Sequence, residues 1–184
     1  MSVRLVPVRT ESDLAEEYRR SPIADLFRHH GERAPVRSYE RPPLVIVTCM
    51  DSRISLRLPE TFAFVLRTAG ANVESVLFNL DFAVAVAGVE GLAIIGHDDC
   101  AMTAVGRSRE AFESGLVRGQ GWTPERAASA YESGVSWFGI ESARESVWAS
   151  AQALRKRYPR LLVAPLFYRV GDGRLEMVEG AEES

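Results

Sequence analysis

The chain has 184 residues, 46% of them hydrophobic and 26% charged, which suits one soluble domain with a substantial core. A formal charge of −3 gives no electrostatic case for binding nucleic acid or an anionic membrane. No apolar stretch is long enough to span a bilayer, and the first residues lack the apolar core of a signal peptide, so a cytoplasmic protein is expected.

Residues 11–31, "ESDLAEEYRRSPIADLFRHHG", read as one or two short amphipathic helices with Pro22 near the break. Two prolines then precede the continuous apolar run at 44–48, the pattern of a strand covered on both faces. "TFAFVLR" at 61–67 is a second strand, followed by a loop at "TAGAN". Residues 73–87 are apolar on more than one face and predict a helix buried on two sides, one against the sheet and the other against a second subunit. "GLAIIGH" at 91–97 is a third strand, and a helix is expected from about Thr103 to Leu116.

Thr123-Pro124-Glu125 has the form of a helix start, with Thr as N-cap and Pro at N1. Helix should fill much of 125–158, with a break near Gly134 or Gly139. "LLVAPLFYRV" at 161–170 is a fourth strand, and Gly171-Asp172-Gly173 turns it into an antiparallel "RLEMVE". The pattern predicts an α/β fold: a mostly parallel sheet of four strands flanked by helices, with a C-terminal antiparallel edge strand.

The cysteines Cys49 and Cys100 are too few for a disulfide scaffold. Read alone, they are two buried thiols acting as small hydrophobes. Their neighbours favour another reading. Cys49 ends one strand, His97 ends another, and Cys100 lies three residues beyond His97. Ligands of open α/β sheets bind at the carboxyl ends of the strands. Two thiolates and an imidazole converging there suit a tetrahedral Zn²⁺ site with a position left for water. Asp51 is the candidate for that fourth position, and Arg53 can hold its carboxylate by a forked pair.

Cys49-Met50-Asp51-Ser52-Arg53 and Gly96-His97-Asp98-Asp99-Cys100 resemble the two motifs of β-class carbonic anhydrases, and "FVLRTAGANV" is similar to that family's Arg-Asn-Ala-Gly segment. The resemblance implies zinc bound by Cys49, His97 and Cys100, and an Asp51–Arg53 catalytic pair beside it. It also implies Asp51 as a fourth ligand in a closed state, and Gly70 as a substrate-binding position. The implied reaction is reversible hydration of CO₂ to bicarbonate and a proton by zinc-bound hydroxide, in a homodimer or larger homo-oligomer. On this reading residues 1–40 are an N-terminal helical extension, and 41–184 form the zinc-binding catalytic domain.

Two rival functions keep the metal site: hydrolysis of CS₂ or COS, and a catalytically weak zinc-binding homologue. Ala101 stands where the family commonly has Gly, and Thr68 where it has Asn. Asp98 and Asp99 place two carboxylates in the metal-binding turn, where they would disturb the ion if they faced it and would be harmless in solvent or capping a helix. His29 and His30 are read as surface residues or, less simply, proton shuttles, and Trp122, Trp137 and Trp148 as core or interface residues. A cysteine phosphatase needs Arg six positions after its Cys, where this chain has Ser55. With no Cys-x-x-Cys, a thioredoxin-like role has no motif.

Overall fold

The continuous apolar runs become the centre of one sheet in the computed structural model, which describes residues 2–31 and 38–181. Strands β1 (Val3–Pro7), β2 (Leu44–Cys49), β3 (Ala63–Thr68), β4 (Gly91–His97), β5 (Leu162–Tyr168) and β6 (Leu175–Gly180) lie in the order β1-β6-β5-β4-β2-β3. The pairs β3–β2, β2–β4 and β4–β5 are parallel, and β5–β6 and β6–β1 are antiparallel. Every residue of β2 and β4 is buried, as expected for parallel strands covered on both faces.

Alternate residues of each strand feed two cores. Leu44, Ile46, Ala93, Ile95, Ala164 and Leu166 pack with Leu14, Tyr18, Ile23 and Leu26, the last two from α1 (Pro22–Gly31). Val45, Val47, Leu92, Ile94, Val163 and Phe167 pack on the opposite face. There they meet Leu80 of α2 (Leu77–Phe82) and Val147, Ala151 and Leu154 of α5 (Ala143–Arg157).

The expected α/β architecture is present with six strands rather than four plus an edge. The C-terminal strand β6 is antiparallel but internal, because β1 covers its outer side. This strand arises in the stretch read as a helical extension. Leu175 to Val178 are buried, so β6 needs a neighbour on both sides, and "VRLVP" supplies the alternation to pair with it. Arg4 and Glu179 face each other in that register and form an ion pair at 2.9 Å. The helical part of the extension is present as 3₁₀ turns at Glu11–Asp13 and Glu16–Tyr18, followed by α1.

The stretch 73–87 is not one helix. It runs as a 3₁₀ turn, then α2, then a π-helical turn at Ala83–Ala87. One side is buried on the sheet, while Phe78, Phe82 and Val86 of the other are 78%, 55% and 67% exposed. The helix expected from Thr103 starts later, as α3 (Arg109–Gln120), after two 3₁₀ turns. Helix α4 (Pro124–Phe138) begins as read, with Thr123 Oγ1 accepting from the Arg126 N–H at 3.3 Å. It ends at Gly139, where a Cβ would come within 2.6 Å of the Val135 carbonyl oxygen, whereas Gly134 lies inside the helix. Among the described residues no helix is long and apolar enough to cross a membrane.

Candidate metal centre

The parallel pairing of β2 with β4 brings Cys49 and His97 to the same end of the sheet. Gly96 lets β4 run under α5, since a Cβ there would lie 2.7 Å from Val147 Cγ2. Beyond His97 the chain reverses through Asp99, whose φ of +53° is left-handed, and Cys100 turns back toward the strand ends. Thr103 fixes that turn, its hydroxyl and its backbone N–H donating to the Cys100 carbonyl at 2.8 and 3.0 Å.

The ligand atoms of Cys49, His97 and Cys100 all lie within 4.8 Å of one another, and the two sulfurs are 3.9 Å apart. All three side chains are buried. His97 Nδ1 lies 2.8 Å from the Asp98 carbonyl oxygen. A carbonyl can only accept, so Nδ1 carries the proton and Nε2 presents a lone pair. That Nε2 is buried without a hydrogen-bond partner, a costly arrangement for a polar atom unless a ligand meets it. A lone pair and two sulfurs around one point form a donor set that fits a zinc ion.

The sulfurs already share charge. The hydrogen bond with Cys100 holds the Cys49 thiol well below the ordinary thiol range against the effect of burial, with His97 and the backbone N–H groups of Asp51 and Gly70 adding to it. The same contact, with burial, pushes Cys100 up. Burial opposes a charge on His97, but the Cys49 sulfur and the Asp51 carboxylate outweigh it and raise its pKa. A bound cation would reverse the Cys100 shift by deprotonating both thiols.

Asp51 stands beside this group and outside it. Arg53 grips its carboxylate with Nε on Oδ1 at 3.0 Å and Nη2 on Oδ2 at 2.7 Å, and the Arg53 backbone N–H adds a bond at 2.9 Å. These bonds hold the Asp51 carboxyl below the usual range, and Asp51 followed by Asp99 raises the Arg53 pKa further. Asp51 Oδ2 is 3.9 Å from His97 Nδ1.

Of the twin aspartates, Asp99 is exposed to solvent, as one of the readings has it, but it is also engaged by Arg53, and Asp98 is partly buried. Asp99 pairs with Arg53 through Oδ2 at 2.9 Å and through its carbonyl at 3.0 Å, while Asp98 Oδ1 accepts from the Val170 N–H at 2.7 Å. Arg53 therefore bridges two carboxylates. Ala101 is exposed, and its backbone lies outside the left-handed region that favours glycine. Thr68 accepts no ligand role; its hydroxyl donates to the Asn72 carbonyl at 3.2 Å.

Gly70 is buried at φ +63°, with its N–H near the Cys49 sulfur, and a Cβ there would lie 3.4 Å from Met102. Sequence reasoning missed Arg67. From β3 it donates to the carbonyls of Cys49, Asp51 and Ile54 at 3.2, 3.2 and 2.9 Å, and so clamps the loop carrying Asp51 and Arg53. Its place at the end of the second strand was the available signal. The histidine pair is half-buried and engaged elsewhere, His29 with Tyr39 at 2.7 Å and His30 with the Gly173 carbonyl at 2.5 Å. Trp137 is 54% exposed, Trp148 packs against the core, and Trp122 lies under the Arg126 guanidinium.

Comparison with known proteins agrees with this geometry. Residues 44–173 match a family model described as carbonic anhydrase. Carbonic anhydrase 2 of Mycobacterium tuberculosis is 34% identical over 92 residues, which are 47% of this chain and 44% of the relative, so the match spans less than half of that relative's length. Among solved structures, β-carbonic anhydrase isoform I of Trichomonas vaginalis superposes with a TM-score of 0.65 at 19% identity, covering 80% of this chain and 90% of that one. Carbonic anhydrase from Glaciozyma antarctica gives 0.60 at 24% identity, covering 74% and 83%. The two structures share the fold, the matched residues hold both strand-end motifs, and the chain belongs to the β-carbonic anhydrase family.

Proposed function

We propose that this protein is a zinc-dependent carbonic anhydrase that interconverts carbon dioxide and bicarbonate with release of a proton. The observation that supports it most is the buried, unpartnered Nε2 of His97 facing the sulfurs of Cys49 and Cys100. Zinc held by these three residues would lower the pKa of water and so provide an oxygen nucleophile at accessible pH.

The chain's own residues prepare the site for that chemistry. Asp98 fixes the tautomer of His97 through its carbonyl. Arg53 keeps Asp51 ionised and turned away from the ligand group, which leaves the fourth position open and places a hydrogen-bond acceptor at its rim. Without that grip Asp51 would swing inward and close the site. The Gly70 N–H stabilises the Cys49 thiolate from a left-handed backbone that glycine adopts without strain, and on this reading Gly70 borders the substrate position. Two thiolates donate more charge than neutral imidazoles would, so activity should rise toward alkaline pH. The exposed Phe78, Phe82 and Val86 support a homodimer or larger homo-oligomer built on this face.

The test is metal content per chain combined with stopped-flow CO₂ hydration from neutral to alkaline pH. One zinc per chain and a rate that climbs with pH are expected. A fully loaded protein that hydrates no CO₂ would overturn the reading, and sulfide release from CS₂ or COS by that protein would assign the sulfur substrates instead.

A further inference from the structure

A cavity of about 640 Å³ opens between the end of β1, the 3₁₀ segment after it, α1 and the β5–β6 turn. Arg9, Arg28, Arg57 and Arg174 line it, against the carboxylates of Glu11 and Asp172. Both carboxylates are engaged, Glu11 with Arg28 at 3.1 Å and Asp172 with Arg174 at 3.1 Å. Among the described residues no carboxylate lies within ion-pair distance of the Arg9 or Arg57 guanidinium. Arg9 is nonetheless faced by Asp13, whose carboxylate accepts from its backbone N–H at 2.8 Å, and Arg28 also pairs with Asp25, so the guanidinium in this concave place with no carboxylate beside it is that of Arg57.

Backbone contacts hold the walls of this cavity. His30 Nε2–H donates to the Gly173 carbonyl at 2.5 Å, and its Nδ1 accepts from the Arg57 backbone N–H at 3.3 Å. One neutral imidazole therefore ties the loop carrying Arg57 to the turn carrying Arg174. Burial favours that neutral form. Tyr168, the register partner of His97, accepts from the Ser55 N–H at 3.4 Å and anchors the same loop. Leu14, Phe27 and Leu175 supply an apolar floor.

We propose that this cavity binds a small phosphorylated molecule, with the phosphate on Arg57 and Arg9 and the rest of the ligand against Phe27 and Leu14. Planar guanidinium forks match phosphate oxygens, and the volume lies within the range of small-molecule sites. A bicarbonate-sized ion would leave most of it empty, which separates this ligand from the proposed substrate of the metal centre.

The test is isothermal titration calorimetry on the full chain at low salt, with AMP and inorganic phosphate as probes. AMP should bind with a submillimolar Kd and more tightly than phosphate. Arg57→Gln and Arg9→Gln should each weaken AMP about tenfold or more. Asp172→Asn keeps the Oδ1 acceptor for the Arg174 N–H, seen at 3.1 Å, but drops the competing charge, and should tighten binding. Arg118→Gln, on α3 and outside the cavity, should change nothing. The proposal is overturned if neither probe binds up to about 10 mM, or if the two bind equally. It is also overturned if Arg118→Gln weakens AMP as much as Arg57→Gln, or if Cys100→Ser abolishes binding that Arg57→Gln leaves intact.

Discussion

Cys49, His97 and Cys100 are 5%, 1% and 4% exposed, whereas the side chains of Arg53 and Asp99, a few ångströms away, are 44% and 84% exposed. The first group is placed by strand register and by a turn that Thr103 closes on the Cys100 carbonyl. The second is placed by charge, with one guanidinium shared between two carboxylates. A buried polar atom such as His97 Nε2 is costly to leave unpartnered, which makes the trio a candidate ligand set. The exposed bridge contributes little to folding and is free to serve as the adjustable part of the site.

Separate substitutions should therefore break the two groups separately. The largest effect is expected for Cys100→Ser, which should lose metal and reduce CO₂ hydration roughly a thousandfold or more. Metal analysis and stopped-flow rates on one preparation check it, and retained zinc with full activity would undo the assignment of the trio. Next comes Arg53→Ala. It should keep most of the metal and lower activity by roughly 10–100-fold, the usual cost of removing an outer partner of a metal site. Loss of metal equal to that of Cys100→Ser would mean that the exposed bridge also builds the cluster.

Much of the trio's side of this contrast was legible. Parallel strands covered on both faces read as unbroken apolar runs, so β2 and β4, and the Cys49 and His97 that end them, stood out in the chain. Of the bridge, the Asp51–Arg53 pair was legible as well, but its Asp99 half did not stand out. Asp99 reaches Arg53 across 46 positions only because its own backbone is left-handed, and nothing local announces that conformation. Arg67 lies in the "FVLRTAGANV" segment, but its role as a clamp appeared only once β3 aligned it with the loop carbonyls. Strand β1 was missed for a related reason: five residues of alternation carry little signal, and their partner β6 lies at the far end of the sequence. Residues 73–87 are apolar on more than one face, and that pattern fits one continuous helix as well as the changes of helix type that the chain adopts.

A buried polar group that does have partners sharpens the comparison with His97. Tyr18 is 3% exposed; its hydroxyl donates to the Val163 carbonyl at 2.9 Å and accepts from Arg155 at 2.6 Å. Burial, first among its causes, raises its pKa from 10.0 to about 12. Between those values the unfolded chain has lost the tyrosine proton and the folded chain keeps it. The stabilisation is thus complete below pH 10 and lost as pH rises through about 12, amounting to about 3 kcal/mol. Urea unfolding from pH 8 upward should show that decline, and Tyr18→Phe should remove it; the same slope in both proteins would assign the alkaline loss to another group.

The smallest effect is expected at Asp99, and it decides whether Arg53 is held by a bridge or by one pair. Asn is the substitution to make, because the residue sits at φ +53°, a region that Asn adopts readily and Ala does not. Asp99→Asn keeps the turn, the backbone carbonyl that accepts from Arg53 and a side-chain oxygen, and removes only the charge. An exposed ion pair contributes at most about 1 kcal/mol, so activity should fall no more than about fivefold with metal content unchanged. Salt gives the more specific readout. Screening weakens the charge on Asp99 in the parent protein, so the difference between the two proteins should shrink as ionic strength rises. If they match at every ionic strength, the Asp99 charge does not orient Arg53, and the exposed half of the comparison reduces to the forked pair with Asp51 and the bond to the Asp99 carbonyl.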